Sequence, residues 1–225
     1  MAELSDAAAG EPMRRMLYGD LPIDEWPADD GGSSGEAWAE PWSRFVRARA
    51  HLANGDADLA IREWSQVANP IFGWESRQVL QAWHLLRANG IVPDASIAGE
   101  VLGLVAEVAV DAGHDVLAAY ADGSVRFLHH RGGGSIVEPP APEPIATAAT
   151  AWLDAATAAA EAVAPWIGDG AHPAPPGESR FVLLTRAGNR AVAGDAATLA
   201  ASAVASELLG VGAGLLQAIV AVRPA

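Results

Sequence analysis

Val101-Leu102-Gly103-Leu104-Val105-Ala106-Glu107-Val108-Ala109-Val110 is followed, after a short break, by Asp115-Val116-Leu117-Ala118-Ala119-Tyr120-Ala121, then Asp122-Gly123, then Ser124-Val125-Arg126-Phe127-Leu128-His129-His130. These are short runs of branched and aromatic residues separated by turn residues, the pattern of successive antiparallel strands. Asp-Gly between two such runs is a strong signal for a two-residue hairpin turn. With Asp122-Gly123 as that turn, Val116 faces His129, Ala118 faces Phe127 and Tyr120 faces Val125 on one apolar side. Asp115, Leu117, Ala119, Arg126, Leu128 and His130 take the other side. A connection through Asp111-Ala112-Gly113 sets Glu107 opposite Leu117, within diagonal reach of Arg126.

A fourth short strand is expected at Ser135 to Val137. Downstream, a helix is expected from Ala146 to Ala164, a Gly/Pro loop from Gly168 to Gly177, strands Arg180 to Arg186 and Arg190 to Ala193 around a Gly188-Asn189 turn, and a last helix. Strands in hairpin order with helices between them predict an α+β fold, an antiparallel sheet with packed helices, over residues 100–225. The 101–138 block, with Glu107-Val108, Leu117 to Ser124 and Arg126-Phe127, resembles an uncharacterised bacterial protein family. That resemblance implies no activity and no site residues.

Upstream, residues 41–99 read as helical. Phe45, Ala48 and Leu52 recur at helical spacing, Gly55-Asp56 breaks the run, and Ala60, Ile61, Trp64 and Val67 resume it before Pro70. Ala48, the Gly55-Asp56 turn, Ala60 and Trp64 resemble one tetratricopeptide unit, a helix pair whose stacked copies form binding grooves. The large residues of the first helix depart from that pattern. A third helix, Glu75 to Asn89, ends at Gly90, a residue suited to the left-handed stop.

Residues 1–40 carry ten acids against Arg14 and Arg15, with Gly31-Gly32-Ser33-Ser34-Gly35 near the end. That composition predicts a disordered acidic leader and linker. Within it, Leu21-Pro22-Ile23-Asp24-Glu25-Trp26 has the form of a docking peptide. Six of the eight Trp residues fall between Trp26 and Trp83, and Trp26, Trp38 and Trp42 are the candidates for a partner-binding surface. Glu107 and Arg126, on the mixed side of the sheet, complete the set of predicted partner-binding residues.

Composition narrows the chemistry. All 14 basic residues are Arg, so Schiff-base and P-loop lysines are missing, and the absence of Cys removes thiol nucleophiles and thiolate metal sites. A formal net charge of −14 opposes a nucleic-acid backbone. No basic start followed by an apolar run appears, which gives the expectation of a cytoplasmic protein. The apolar stretch from Ala196 to Val222 contains Glu207 and Gln217 and is read as a buried helix, not a membrane span.

No Gly-x-Ser-x-Gly elbow is present. Consecutive strand residues point to opposite faces, so His129 and His130 are not expected to share an ion while the strand stays regular. His114 and His129 near Asp111 form the remaining small cluster of possible ligands. The sequence therefore predicts no cofactor, no metal and no catalytic residue, and a non-catalytic protein–protein interaction or adaptor protein, with homo-oligomers allowed. The alternatives are an enzyme with a site on the sheet, using His114, His129, Glu107 or Arg126, and a membrane-active protein using the C-terminal helix.

Overall fold

The run from Val101 becomes the longest strand of the protein in a computed structural model, which describes residues 14–27, 39–111, 113–168 and 170–222. The chain divides into two compact units, one formed by residues up to Ala98 with 170 and 171, the other by Gly99–Gly168 and the chain from His172 onward.

The second unit holds a six-stranded antiparallel sheet. Strands β1 (Val101–Val110), β2 (Gly113–Tyr120), β3 (Val125–Leu128), β4 (Gly134–Val137), β5 (Ser179–Thr185) and β6 (Gly188–Gly194) lie in the order β4-β3-β2-β1-β5-β6. The α+β class and the packed antiparallel sheet are as the sequence predicts. The register is not. Leu117 pairs with Phe127 and Ala118 with Arg126, one residue away from the predicted alignment. Tyr120 N donates to Ser124 O at 3.0 Å, so the loop holds three residues, Ala121 to Gly123, with Gly123 at φ 87°. Glu107 likewise pairs with Val116, not Leu117, because Val110 pairs directly with Gly113. The β5–β6 turn is Arg186-Ala187, with Thr185 paired to Gly188, so Gly188-Asn189 belongs to the strand.

Strand alternation then puts Leu104, Ala106, Leu117, Ala119, Val125, Phe127, Phe181 and Leu183 on one face, all buried. Helices α5 (Glu143–Ala159) and α7 (Ala203–Val222) close this face. Helix α5 starts three residues earlier than predicted because Pro144 sits in its first turn, where a missing N–H breaks no helical bond. Trp152 of α5 is fully buried, and its Nε1 donates to Leu208 O of α7 at 2.8 Å. Each large side chain removed from water here contributes about 1.5–3 kcal/mol.

Helix α7 corrects one expectation. By length and composition it is apolar enough to cross a membrane, and it is not buried all round. Ala205, Leu208, Gly212, Leu215 and Ile219 are covered, whereas Leu209, Gly210, Ala213 and Val220 are exposed. The short helix α6 (Ala196–Ala201) precedes it, capped by Asp195, whose side chain accepts from Thr198 N at 2.8 Å.

The first unit contains α1 (Trp42–Ala53), α2 (Ala57–Ala68), α3 (Ser76–Ala88) and a single turn, α4 (Ala95–Ala98). Phe45, Ala48, Ala60, Trp64 and Val67 are all fully buried. Glu63 of α2 binds Arg44 and Arg47 of α1 at 2.9 and 3.1 Å, and Glu40 binds the same two guanidinium groups. Part of the stretch read as a disordered leader is folded into this unit. Residues 14–18 are helical, Leu17, Tyr18 and Trp26 are buried, and Gln81 of α3 bonds both Leu21 N and Leu21 O. Acid counting missed this because four apolar side chains, Leu17, Tyr18, Leu21 and Trp26, outweigh the local charge once a helical surface is there to receive them.

Candidate functional site

Two places concentrate chemically useful groups. The first is in the helical unit, where Trp26 stacks on Phe45 at 4.6 Å and on Trp42 at 5.6 Å between ring centroids. Beside this stack lies a cavity of about 330 Å³, lined by Met16, Leu21, Trp26, Pro27 and Trp42, with Glu75, Arg77 and Gln81 supplying polar atoms. Arg77 pairs with Glu75 at 2.9 Å. Trp26 is 5% exposed, yet its Nε1 has no hydrogen-bond partner among the described residues. A buried donor left without an acceptor costs about 1–3 kcal/mol. Trp26 is thus part of the core, not the free anchor that the sequence suggests, and Trp42 is the half-buried member of the pair. Trp38 lies outside the described residues.

Glu107 and Arg126, also predicted to meet a partner, are buried. Glu107 is fully enclosed, and its Oε2 accepts from Ala174 N at 2.7 Å and from Arg180 Nη2 at 3.0 Å. Arg180 also donates to His172 O and lies 4.6 Å from the Trp166 ring centroid. The expected Glu107–Arg126 ion pair is replaced: Arg126 donates to Val125 O, Val137 O and Glu138 Oε1, the last at 2.6 Å. Both side chains are occupied inside the unit, so neither presents a surface to a partner.

The second place is the end of the β2–β3 ladder. Strand β3 stops at Leu128, so His129 and His130 sit in the following turn and strand alternation no longer separates them. Their ring centroids are 4.1 Å apart. The premise that excluded a shared ion, a regular strand through both residues, does not hold. Asp115 of β2 completes a cluster in which one ligand atom from each of Asp115, His129 and His130 lies within 4.8 Å of the others. Asp115 Oδ1 accepts from His130 N at 2.9 Å and meets His130 Nδ1 at 2.8 Å. Burial pushes the Asp115 carboxyl up, but the His130 hydrogen bonds and the nearby imidazoles outweigh it and hold the group below its ordinary value. His129 Nδ1 accepts from Arg131 N at 3.2 Å.

Asp115 also lines an apolar cavity of about 140 Å³ between the sheet and α7, walled by Leu117, Phe127, Trp152, Phe181 and Leu208 among others. His114, a predicted partner of His129, turns elsewhere and bonds Glu178 O through Nε2 at 3.0 Å. Of the four side chains considered for catalysis, only His129 belongs to this cluster. Gly132-Gly133-Gly134 reads as a hairpin connection, and what the sequence does not show is that this connection reaches back to His129, through Gly132 N to His129 O at 2.9 Å. Comparison with known proteins finds no matching family model, no matching curated protein and no matching solved structure.

Proposed function

We propose that the protein is a non-catalytic interaction module whose helical unit receives a peptide segment of a protein partner beside Trp26 and Trp42. The observation that carries this reading is the cavity of about 330 Å³ walled by Met16, Leu21, Trp26, Pro27 and Trp42, with Glu75, Arg77 and Gln81 beside them. Apolar side chains of an incoming segment fill the space between Leu21, Pro27 and Trp42. The resemblance of α1 and α2 to a tetratricopeptide pair supports the same reading, since such pairs build peptide-binding grooves. Two-domain organisation as a helical interaction unit and an α+β unit, in the cytoplasm, is part of the proposal.

A peptide-display selection against the intact chain, followed by affinity measurement on Trp42→Ala, tests it. Selected peptides should lose at least tenfold in affinity for the variant while its melting temperature stays within a few degrees. Peptides that bind wild type and variant equally, or no enrichment at all, overturn the reading. A second reading, an enzyme with its site on the sheet, is favoured by the Asp115–His129–His130 cluster beside an apolar cavity.

A further inference from the structure

We propose that Asp115, His129 and His130 form a binding site for a divalent transition-metal ion of the zinc class. Neutral imidazole and carboxylate are the ligands such ions take, and two His with one carboxylate is a donor set that leaves coordination positions open. Bonds of about 2.0–2.2 Å place ligand atoms roughly 3–3.5 Å apart. Here the three ligand atoms already lie within 4.8 Å of one another. Closing the set draws these atoms together by about an ångström, and the ion takes the place of the hydrogen bond that joins Asp115 Oδ1 to His130 Nδ1 at 2.8 Å.

The surroundings fit an ion better than they fit three solvated side chains. Asp115 and His130 are largely covered, at 22% and 13% side-chain exposure. Two elements position the ligands. Strand β2 is fixed on both sides by β1 and β3, and the histidine turn is closed by His129 N to Gly133 O at 3.0 Å and Gly132 N to His129 O at 2.9 Å. Asp115 lies on the same face of the sheet as Leu117 and lines the apolar cavity under α7. An ion at this place therefore has protein ligands on one side and, on the other, a small water-poor space that admits an apolar group.

The site is independent of the helical unit, so its failure and that of the peptide-binding reading are separable. The intact chain is stripped with chelator and titrated with ZnCl2 by calorimetry, and with CoCl2 by visible absorption, in millimolar MgCl2 to occupy the many exposed carboxylates. The expected result is one equivalent bound, a cobalt spectrum of nitrogen/oxygen coordination, and at least tenfold weaker binding in both His129→Ala and Asp115→Asn. Asp115→Asn keeps the size of the side chain, and His129→Ala removes a ligand that is not hydrogen-bonded to Asp115, so the two variants guard against loss of fold as the cause. His114→Ala, outside the cluster, should bind as wild type does. Binding that survives both ligand substitutions, or no binding tighter than that of magnesium-competed carboxylates, overturns the proposal.

Discussion

Glu107 and Arg180 stand opposite each other on neighbouring central strands, with Oε2 3.0 Å from Nη2 and the carboxylate wholly shielded from solvent. Truncating Glu107 strips the largely buried Arg180 guanidinium of its counter-ion. Glu107→Ala should therefore cost about 3–5 kcal/mol of unfolding free energy. In a double-mutant cycle by urea denaturation, Glu107→Ala with Arg180→Ala should cost less than the sum of the single changes by about 1 kcal/mol or more. Additive losses would show that the pair is not coupled.

His84 on α3 gives the helical unit a pH signature. Burial, with Arg87 and Arg15 nearby, lowers its pKa from 6.5 to about 4. Between those values the unfolded chain binds a proton that the folded chain rejects, so stability rises with pH over that window. The contribution is fully present above about pH 6.5 and is lost as pH falls toward 4, by about 2–3 kcal/mol. His84→Gln should flatten the melting temperature between pH 4.5 and 7 relative to wild type, which thermal unfolding at stepped pH measures directly.

Two glycines of α7 should respond in opposite senses. A methyl group on Gly212 would sit 3.0 Å from the Trp152 ring, whereas one on Gly210 meets nothing within 4 Å. Gly210→Ala should stabilise by about 0.5–1 kcal/mol through helix propensity alone. Gly212→Val should destabilise by about 1–3 kcal/mol by forcing α5 and α7 apart. Calorimetric melting of the two variants decides the matter, and a loss at Gly210 would reveal a contact on the outer face of α7.

Gly123→Ala should cost about 1 kcal/mol, since φ is 87° there and the nearest outside atom, Pro139 Cβ, is 3.8 Å from the added methyl. Backbone strain is then the whole penalty. A cost near zero in chemical denaturation would mean that the loop relaxes to another turn.

The same loop shows where the sequence was readable. Strand runs, the helix-bearing segments and the α+β class follow from short apolar runs bounded by turn residues, and Leu104-Val105-Ala106 and Leu117-Ala118-Ala119 do not alternate because both faces of the sheet are buried there. Register does not follow, since Asp122-Gly123 serves a three-residue loop as well as a two-residue one. One residue of difference sends Phe127 to the helix-covered face and Arg126 to the other. At the candidate site, His129 and His130 were visible as residues, but their proximity was hidden by assuming that β3 continues through them. Trp26 is singled out in the sequence because it lies outside the periodic helices, and its stacking on Phe45 is a long-range contact that local pattern does not encode.

The strand order also bears on how the protein reaches its native state. Strands β1 to β4 are joined by short connections and can pair as soon as they are made, whereas the β1–β5 seam brings Glu107 to Arg180 across 73 residues. Closing so long a loop carries an entropy cost that neighbouring hairpins escape. The meander is thus the natural nucleus, and zipping the β5–β6 hairpin onto its exposed β1 edge is the slow event. Until that docking occurs, a nascent chain carries an open strand edge at what will become the centre of the sheet, the interval in which it is most exposed to pairing with another copy of itself.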